Sequence, residues 1–175
     1  MNPAVMQPRK KMSSLIPEAL TAAVLTASDS SSRGERDDLS GPALVEVLKQ
    51  RNFQVVATEI VSDDRTHIEN ALLQLAEKAS LVVSTGGTGL AERDVTPEAT
   101  SAVCERMVEG IAERMRLEGA KKTPFAALSR GRCGVRGHAL IVNVPGSPKG
   151  AVESLEAVID ILPHALQLLR GNTKH

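Results

Sequence analysis

The chain has 175 residues, 42% of them hydrophobic, and its 21 Lys and Arg residues balance 21 Asp and Glu residues. This length fits one compact domain with one core, and a net charge of zero gives no general attraction for nucleic acid or an anionic membrane. With two Phe, no Tyr and no Trp, the chain lacks the aromatic platforms on which single strands stack, so we expect neither nucleic acid nor membrane as a partner.

The ends of the chain differ from its middle in composition. Residues 1–18 carry basic residues but no long apolar segment, so they predict neither a leader nor a membrane-spanning helix. We expect a flexible N-terminal tail over residues 1–18, a single domain over residues 19–171 and a C-terminal tail over residues 172–175.

The first predicted strand covers residues 20–28, an apolar run that ends at a polar, glycine-containing loop over residues 29–39. Ser40 then precedes Gly41, Pro42 and apolar residues at helical spacing. This pattern predicts a helix to about Arg51 with Ser40 as its N-cap.

The second strand and helix follow at once. Residues 53–61 are predicted to be extended, and Asp63 and Asp64 introduce a helix. The apolar face of that helix consists of Ile68, Leu72, Leu75 and Ala79. Residues 81–84 are almost entirely apolar, which is typical of a parallel strand that is covered on both faces.

Two helices are predicted in the next segment. Thr96 is the expected N-cap of the first, Pro97 lies in its first turn, and the helix runs to about Arg106. The second covers about residues 110–118.

The last predicted strand covers residues 138–144, and the turn Pro145-Gly146-Ser147-Pro148 follows it. Apolar residues at helical spacing then predict one closing helix over residues 152–169, with a kink at Pro163.

Alternating strands and helices predict a doubly wound, three-layer α/β/α domain with a mostly parallel sheet, because parallel strands need crossover helices on the faces of the sheet. Such domains bind ligands at the carboxyl ends of the strands. The candidate site residues all follow strands or precede helices.

The segment Thr85-Gly86-Gly87-Thr88-Gly89 directly follows a predicted strand. Its three glycines let the backbone approach a ligand closely, and its two hydroxyls can bind a phosphate or a pterin. It matches neither the Walker pattern nor GxGxxG. A purely structural turn would also explain the glycines.

Asp94 lies beside this glycine loop, and Asp63 follows the second strand. Carboxylates repel phosphates unless a cation lies between them, and Mg²⁺ uses one or two carboxylates together with phosphate oxygens and water. Asp63 and Asp94 are therefore candidate ligands of Mg²⁺. The alternative is that both are helix N-caps.

Further residues near strand ends are weaker candidates for ligand binding. They are Ser28, Asp29, Ser129, Pro145, Gly146 and Ser147. The histidines are scattered and match no nucleophile motif, so a hydrolytic triad is not expected.

Taken together, the segments TASDSSSRGERDDLSGPAL, VSDDRTHI, STGGTGLAERDVTPEAT, FAALSRGRCGVRG and LIVNVPGSPKGAVE resemble the molybdopterin adenylyltransferase family, of the Mog and MoaB type. The resemblance extends from about residue 22 to residue 171. It implies a cytoplasmic, usually trimeric α/β protein that binds molybdopterin, ATP and Mg²⁺, forms adenylylated molybdopterin and pyrophosphate, and meets other cofactor-assembly proteins transiently.

The resemblance also assigns roles. It implies that Asp63 and Asp94 are the essential or metal-linked aspartates and that Thr85–Gly89 is the phosphate-facing loop. Two other interpretations remain: a non-catalytic molybdopterin carrier of the same fold, and a trimeric interaction module.

Overall fold

A computed structural model describes residues 19–171 of the chain, so the predicted tails lie outside the described residues. The strands are β1 (Thr21–Ala27), β2 (Gln54–Val61), β3 (Leu81–Thr85), β4 (Arg106–Met107), β5 (Cys133–Arg136) and β6 (Ala139–Val144). The helices are α1 (Asp29–Ser32), α2 (Ser40–Gln50), α3 (Arg65–Lys78), α4 (Thr96–Val103), α5 (Glu109–Ala120), a 3₁₀ helix (Pro124–Leu128), α6 (Pro148–Glu156) and α7 (Leu162–Leu169).

The six strands form one sheet in the order β2-β1-β3-β6-β5-β4. The first four run parallel, whereas β5 pairs antiparallel with both β6 and β4. The predicted mostly parallel α/β sheet is therefore confirmed. It brings the carboxyl ends of β2, β1, β3 and β6 to one edge.

Each face of the sheet is covered by its own layer of helices. On β1, Ala22 and Val24 belong to the core that contains Leu48 of α2 and Leu155 of α6. The neighbouring residue Leu25 belongs to the second core, which α3 and α4 cover. Successive side chains on a strand point to opposite faces, so this alternation confirms the three-layer arrangement.

Two predicted N-caps are wrong. Ser40 is the first residue inside α2, and the Asp38 carboxylate accepts hydrogen bonds from the Gly41 N–H (2.9 Å) and the Ser40 hydroxyl (3.2 Å) instead. Thr96 likewise lies inside α4, with Val95 at the cap position. In α2, the Asp38 carboxylate, two residues before Ser40, accepts a hydrogen bond from an exposed N–H group at the start of the helix. The prediction considered only the hydroxyl residue next to the helix.

The region of β4 and β5 differs from the prediction. Helix α4 ends at Val103 rather than near Arg106, and Arg106 starts the short strand β4. Strand β5 was not predicted, and it turns into β6 through Gly137, whose φ is +56°. Two- and four-residue strands are too short to show an alternating pattern.

The single kinked closing helix is also wrong. The segment forms α6 and α7, and Pro163 lies in the first turn of α7, where its missing N–H costs no helical hydrogen bond. Within residues 19–171, no helix is long and apolar enough to cross a membrane.

Candidate active site

Four strand ends meet at one edge of the sheet and place most of the predicted site residues together. Ser28 and Asp29 follow β1, Asp63 lies just beyond β2, and the glycine loop begins at the end of β3. The segment Pro145-Gly146-Ser147 follows β6, and Gly86 N–H donates to the Val144 carbonyl at 3.4 Å.

The turn at Gly86 and Gly87 requires glycine at both positions. Their φ angles are +96° and +63°, a region that side chains with a Cβ rarely adopt. A Cβ on Gly86 would lie 2.2 Å from the Ala27 carbonyl oxygen, and a Cβ on Gly146 would lie 3.2 Å from the Cα of Gly86. The backbones of three neighbouring strand ends therefore pack in direct contact.

The two threonines of the glycine loop are buried. Thr85 is 0% exposed and its hydroxyl donates to the Pro145 carbonyl at 2.8 Å, while Thr88 is 5% exposed. The Thr85 hydroxyl thus joins the ends of β3 and β6. This hydroxyl therefore bonds within the fold and does not face a ligand as its hydrogen-bond donor.

Asp29 and Asp63 bind each other reciprocally, the backbone N–H of each donating to the carboxylate of the other. The Asp29 N–H donates to Asp63 Oδ2 at 3.0 Å, and the Asp63 N–H donates to Asp29 Oδ1 at 2.9 Å. This reciprocal pair holds two carboxylates side by side. Arg93 Nη1 lies 3.6 Å from Asp29 Oδ2 and supplies a positive charge.

Asp63 lies in an environment that disfavours its ionised form. Burial raises the pKa of Asp63 above its ordinary value, and the carboxylates of Asp29 and Asp94 raise it further. The hydrogen bond from Asp29 and the charge of Arg93 oppose this shift only in part. A cation placed among these acids would relieve it.

Asp94 forms two hydrogen bonds within its own loop. Its Oδ2 accepts a hydrogen bond from the Ala91 N–H at 3.0 Å, and its N–H donates to the Ala91 carbonyl at 2.9 Å. A Cβ on Gly89 would lie 2.8 Å from this Oδ2, so the carboxylate packs against the glycine backbone. Neither Asp94 nor Asp63 caps a helix, because Asp64 caps α3 and Val95 holds the cap position of α4.

A buried hydroxyl also faces the glycine loop. Thr96 is fully buried, and its Oγ1 has no hydrogen-bond partner in residues 19–171. A Cβ on Gly87 would lie 2.4 Å from this oxygen and 3.6 Å from Asp63 Oδ1. The Gly87 turn thus lies between an unsatisfied hydroxyl and a carboxylate.

Arg130 was not among the residues predicted to form the site, yet its guanidinium contacts the site at three points. Nε donates to the Gly89 carbonyl at 2.7 Å, Nη2 donates to the Asp94 carbonyl at 2.5 Å, and Nη1 binds the Glu98 carboxylate. Partial burial acts to raise the pKa of Glu98, but the hydrogen bond and charge of Arg130 prevail and lower it.

The three candidate serines already have partners. The Ser28 hydroxyl caps α1 by accepting from the Ser31 N–H, and the Ser147 hydroxyl caps α6 by accepting from the Gly150 N–H, each at 3.2 Å. Ser129 Oγ accepts from the Gly131 N–H at 3.3 Å. Their first role is to fix the loops that surround the site.

A buried amide under the site was missed in the sequence. Asn143 is 1% exposed, and its Nδ2 donates to the hydroxyls of Ser84 and Thr100, both at 2.8 Å. Its Oδ1 accepts from the Arg132 N–H at 3.0 Å. A polar residue within an otherwise apolar strand was the signal, and it marks a link between β3, β6 and α4.

Two cavities adjoin the glycine loop. One of about 380 Å³ lies against Ser28, Arg36 and Asp37, and the other, of about 480 Å³, lies against Gly89, Asp94 and the 3₁₀ helix. Gly146 and Ser147 line both. The site can therefore hold two ligands, or one long ligand, with a junction at the Gly86–Gly87 turn.

Other nucleophiles do not form a catalytic set. His67 Nδ1 lies 2.7 Å from Ser62 Oγ, and the Asp64 carboxylate approaches this same nitrogen at 3.9 Å, whereas in a hydrolytic triad the hydroxyl and the acid contact opposite ring nitrogens. The thiols are free, with Cys133 buried and Cys104 half-buried. Burial raises the pKa of Cys104 to about 11, so this thiol remains protonated.

The donor set fits Mg²⁺. In the described part of the chain, no group of three or more His, Cys, Asp or Glu residues could enclose a metal ion. Asp63 and Asp94 offer hard oxygen atoms and only partial coordination, which suits an ion that retains water and phosphate ligands. The raised pKa of Asp63 and the unpartnered Thr96 hydroxyl are consistent with a cation or water at this position.

The sequence and the fold both match known proteins. Residues 23–164 match the profile of a family described as a probable molybdopterin binding domain. The chain is 46% identical over 153 residues to a molybdopterin adenylyltransferase of Helicobacter pylori (strain J99), covering 85% of this chain and 87% of that protein.

Two solved structures are also similar. The chain is 53% identical to the molybdopterin biosynthesis enzyme MoaB of Thermus thermophilus, covering 87% of this chain and 97% of that one, with a TM-score of 0.82. A tungsten cofactor synthesizing protein MoaB of Pyrococcus furiosus is 30% identical, covering 88% and 99% of the two chains, with a TM-score of 0.81.

Proposed function

Because the chain belongs to the family of probable molybdopterin binding domains, we propose that it is a molybdopterin adenylyltransferase of molybdenum-cofactor biosynthesis that uses Mg²⁺ and ATP. The name of the Helicobacter pylori relative supports the activity. The observation that carries the proposal is that the glycine turn adjoins both cavities, with Asp63 beside Gly87 and with Asp94 in the wall of the larger cavity.

The reaction joins two anions. A terminal phosphate oxygen of molybdopterin attacks the α-phosphorus of ATP, a new P–O bond forms, and the bond from the α-phosphorus to the oxygen that bridges to the β-phosphate breaks. Pyrophosphate leaves with that electron pair. Such a transfer depends on alignment and on neutralising charge.

The protein supplies alignment through its backbone. Gly86 lines one cavity and Gly87 lines the other, so we place the reacting phosphates against the backbone of this turn. Ser147 and Gly146 form the rim that both cavities share. We place ATP and molybdopterin on opposite sides of this rim, with their reacting phosphates between them.

Asp63 and Asp94 are the residues that would hold Mg²⁺, and Asp29 positions Asp63 through the reciprocal backbone hydrogen bonds. When bound, Mg²⁺ supplies positive charge to the phosphates. Arg93 stands beside Asp29 and adds a second positive charge at the edge of the site.

The test is pyrophosphate release by the purified full-length protein given Mg²⁺, ATP and molybdopterin. We expect release that requires the pterin and falls by at least about 100-fold in Asp94→Asn. The matched control is Asp160→Asn, which removes a carboxylate from the surface pair with Arg114; neither residue lines either cavity. Pterin binding without release would instead identify a carrier.

We further propose a cytoplasmic homotrimer. Two apolar side chains that line the larger cavity are exposed, Phe125 by 74% and Leu128 by 51%, and Leu117 of α5 is 67% exposed. Burial against another subunit would remove this apolar area from water. Sedimentation equilibrium measures the oligomeric state, and a monomer at micromolar concentration would contradict the trimer.

A further inference from the structure

We propose that Arg130 is a positioning residue that holds the loop of residues 89–94, and with it the Asp94 carboxylate, against the glycine turn. This inference rests on the proposed function only for its effect on catalysis. The geometry itself does not depend on the identity of the substrates.

The guanidinium joins the two ends of one loop. The Gly89 and Asp94 carbonyls, which begin and end the segment, accept from Nε and Nη2. The Arg130 N–H also donates to the Thr88 carbonyl at 2.9 Å. Four points of contact, counting Glu98, therefore connect the segment after the 3₁₀ helix to the glycine loop and to α4.

Arginine suits this position better than lysine. Its guanidinium is planar and carries five N–H donors in a fixed arrangement, whereas an ammonium is a single point of charge on a flexible stem. One lysine cannot reach the two carbonyls and the Glu98 carboxylate in the same directions. The position therefore depends on the shape of the side chain as well as on its charge.

Glu98 fixes the direction of the guanidinium. It lies in the first turn of α4, and the bond from Arg130 lowers its pKa despite partial burial. Helix α4 also binds the glycine loop, because the Thr96 N–H donates to the Gly87 carbonyl at 3.1 Å. Arg130 and α4 thus hold the loop from two sides.

The same segment also forms the wall of a cavity. Ser129, the residue before Arg130, and Asp94 both line the larger cavity. A ligand in that cavity therefore contacts groups whose separation Arg130 sets. This link is the reason to expect a catalytic effect beyond stability.

Hydrogen–deuterium exchange tests the positioning without any substrate. The Ala91 and Asp94 amides are bonded within the loop, so they report its order. In Arg130→Gln we expect these two amides to exchange about 10-fold faster or more, because three guanidinium contacts are lost. Arg130→Lys should show the same direction and serves if the glutamine variant folds poorly.

Arg114 offers a matched control. Its guanidinium also binds one carbonyl, that of Ala157 at 2.6 Å, and one carboxylate, that of Asp160, but it contacts no residue of the glycine loop among the described residues. Arg114→Gln removes a comparable set of bonds elsewhere. It should leave exchange at Ala91 and Asp94 unchanged.

The kinetic test uses pyrophosphate release. We expect kcat of Arg130→Lys to fall about 100-fold while KM for ATP changes less than about 3-fold, since misplacement of a catalytic group by about 1 Å costs this much. Added guanidinium ion should partly restore kcat in Arg130→Ala. A uniform loss through instability would also appear in the melting temperature.

Two results would overturn the proposal: exchange at Ala91 and Asp94 as slow in Arg130→Gln as in Arg114→Gln, or a wild-type kcat in Arg130→Lys. If the wild-type protein released no pyrophosphate, the proposed function would fail. The exchange experiment would then decide the positioning role by itself.

Discussion

Gly89→Ala tests the position of Asp94 without changing any carboxylate. A Cβ at this residue would lie 2.8 Å from Asp94 Oδ2, so the carboxylate must retreat by about 0.6 Å to reach an ordinary contact. The φ of Gly89 is not in the left-handed region. The backbone therefore accepts alanine, and the strain falls on one movable side chain.

The effect on stability should be small. Moving the carboxylate weakens its hydrogen bond from the Ala91 N–H, a loss of about 1 kcal/mol. Replacing glycine by alanine at a compatible position gains about 0.4–1 kcal/mol through the unfolded chain. We expect the free energy of unfolding to change by less than about 1 kcal/mol.

The effect on activity should be large. A catalytic carboxylate displaced by more than half an ångström is expected to reduce kcat by about 10–100-fold. Steady-state pyrophosphate release measures kcat, and thermal unfolding measures stability. Gly110→Ala is the control, because a Cβ there meets no atom within 4 Å.

An unchanged kcat in Gly89→Ala would refute the reasoning, provided that the variant folds. It would mean that the reaction tolerates movement of Asp94, and the aspartate would no longer be a metal-linked catalytic residue. A loss of kcat that Gly110→Ala shared would also refute it.

Two further predictions concern the glycine turn at Gly86 and the charge of the Asp63 carboxylate. Gly86→Ala should destabilise the protein by about 3 kcal/mol or more in urea unfolding, because its Cβ would meet the Ala27 carbonyl at 2.2 Å. The control is Gly137→Ala, which also has a positive φ but open space around the Cβ, and which should cost only about 1 kcal/mol. Equal losses of stability in the two variants would exclude the contact with Ala27 as the cause. Asp63→Asn should be more stable than the wild type near pH 7. Because the pKa of Asp63 is raised in the folded protein, protonation of this carboxyl stabilises the folded state, and that stabilisation is lost as pH rises through the folded pKa. The difference should shrink towards about pH 3, where both side chains are neutral, and a variant less stable at both pH values would contradict it.

The parts of the fold that the sequence predicts are those with strong local patterns. The core strands β1, β3 and β6 are continuous apolar runs, and the apolar face of α3 repeats at helical spacing through Ile68, Leu72 and Leu75. All three of these leucine and isoleucine side chains are buried. A strand that is buried on both faces shows a continuous apolar run, and a helix that is buried on one face shows a periodic one. Both signals lie within the segment itself.

The parts that escape prediction depend on distant partners. Arg130 acts on residues 32 to 41 positions away, and Asn143 binds a hydroxyl 59 positions away. The residue type alone does not distinguish an arginine that binds distant residues from one whose side chain lies in solvent. The position of the candidate site follows from the order of strands and helices, but its internal bonding does not.

The charges of the site also depend partly on local sequence and partly on distant contacts. The sequence places Asp29, Asp63 and Asp94 after strands or before a helix, and the topology then makes them neighbours whose charges raise one pKa. Backbone N–H groups hold Asp29 and Asp63 together, and Arg93 contacts only the former at 3.6 Å. The proposed cation would offset the repulsion that raises the pKa of Asp63. The difference in stability between the wild type and Asp63→Asn, measured against pH with and without Mg²⁺, tests this proposal: a difference that Mg²⁺ leaves unchanged would contradict it.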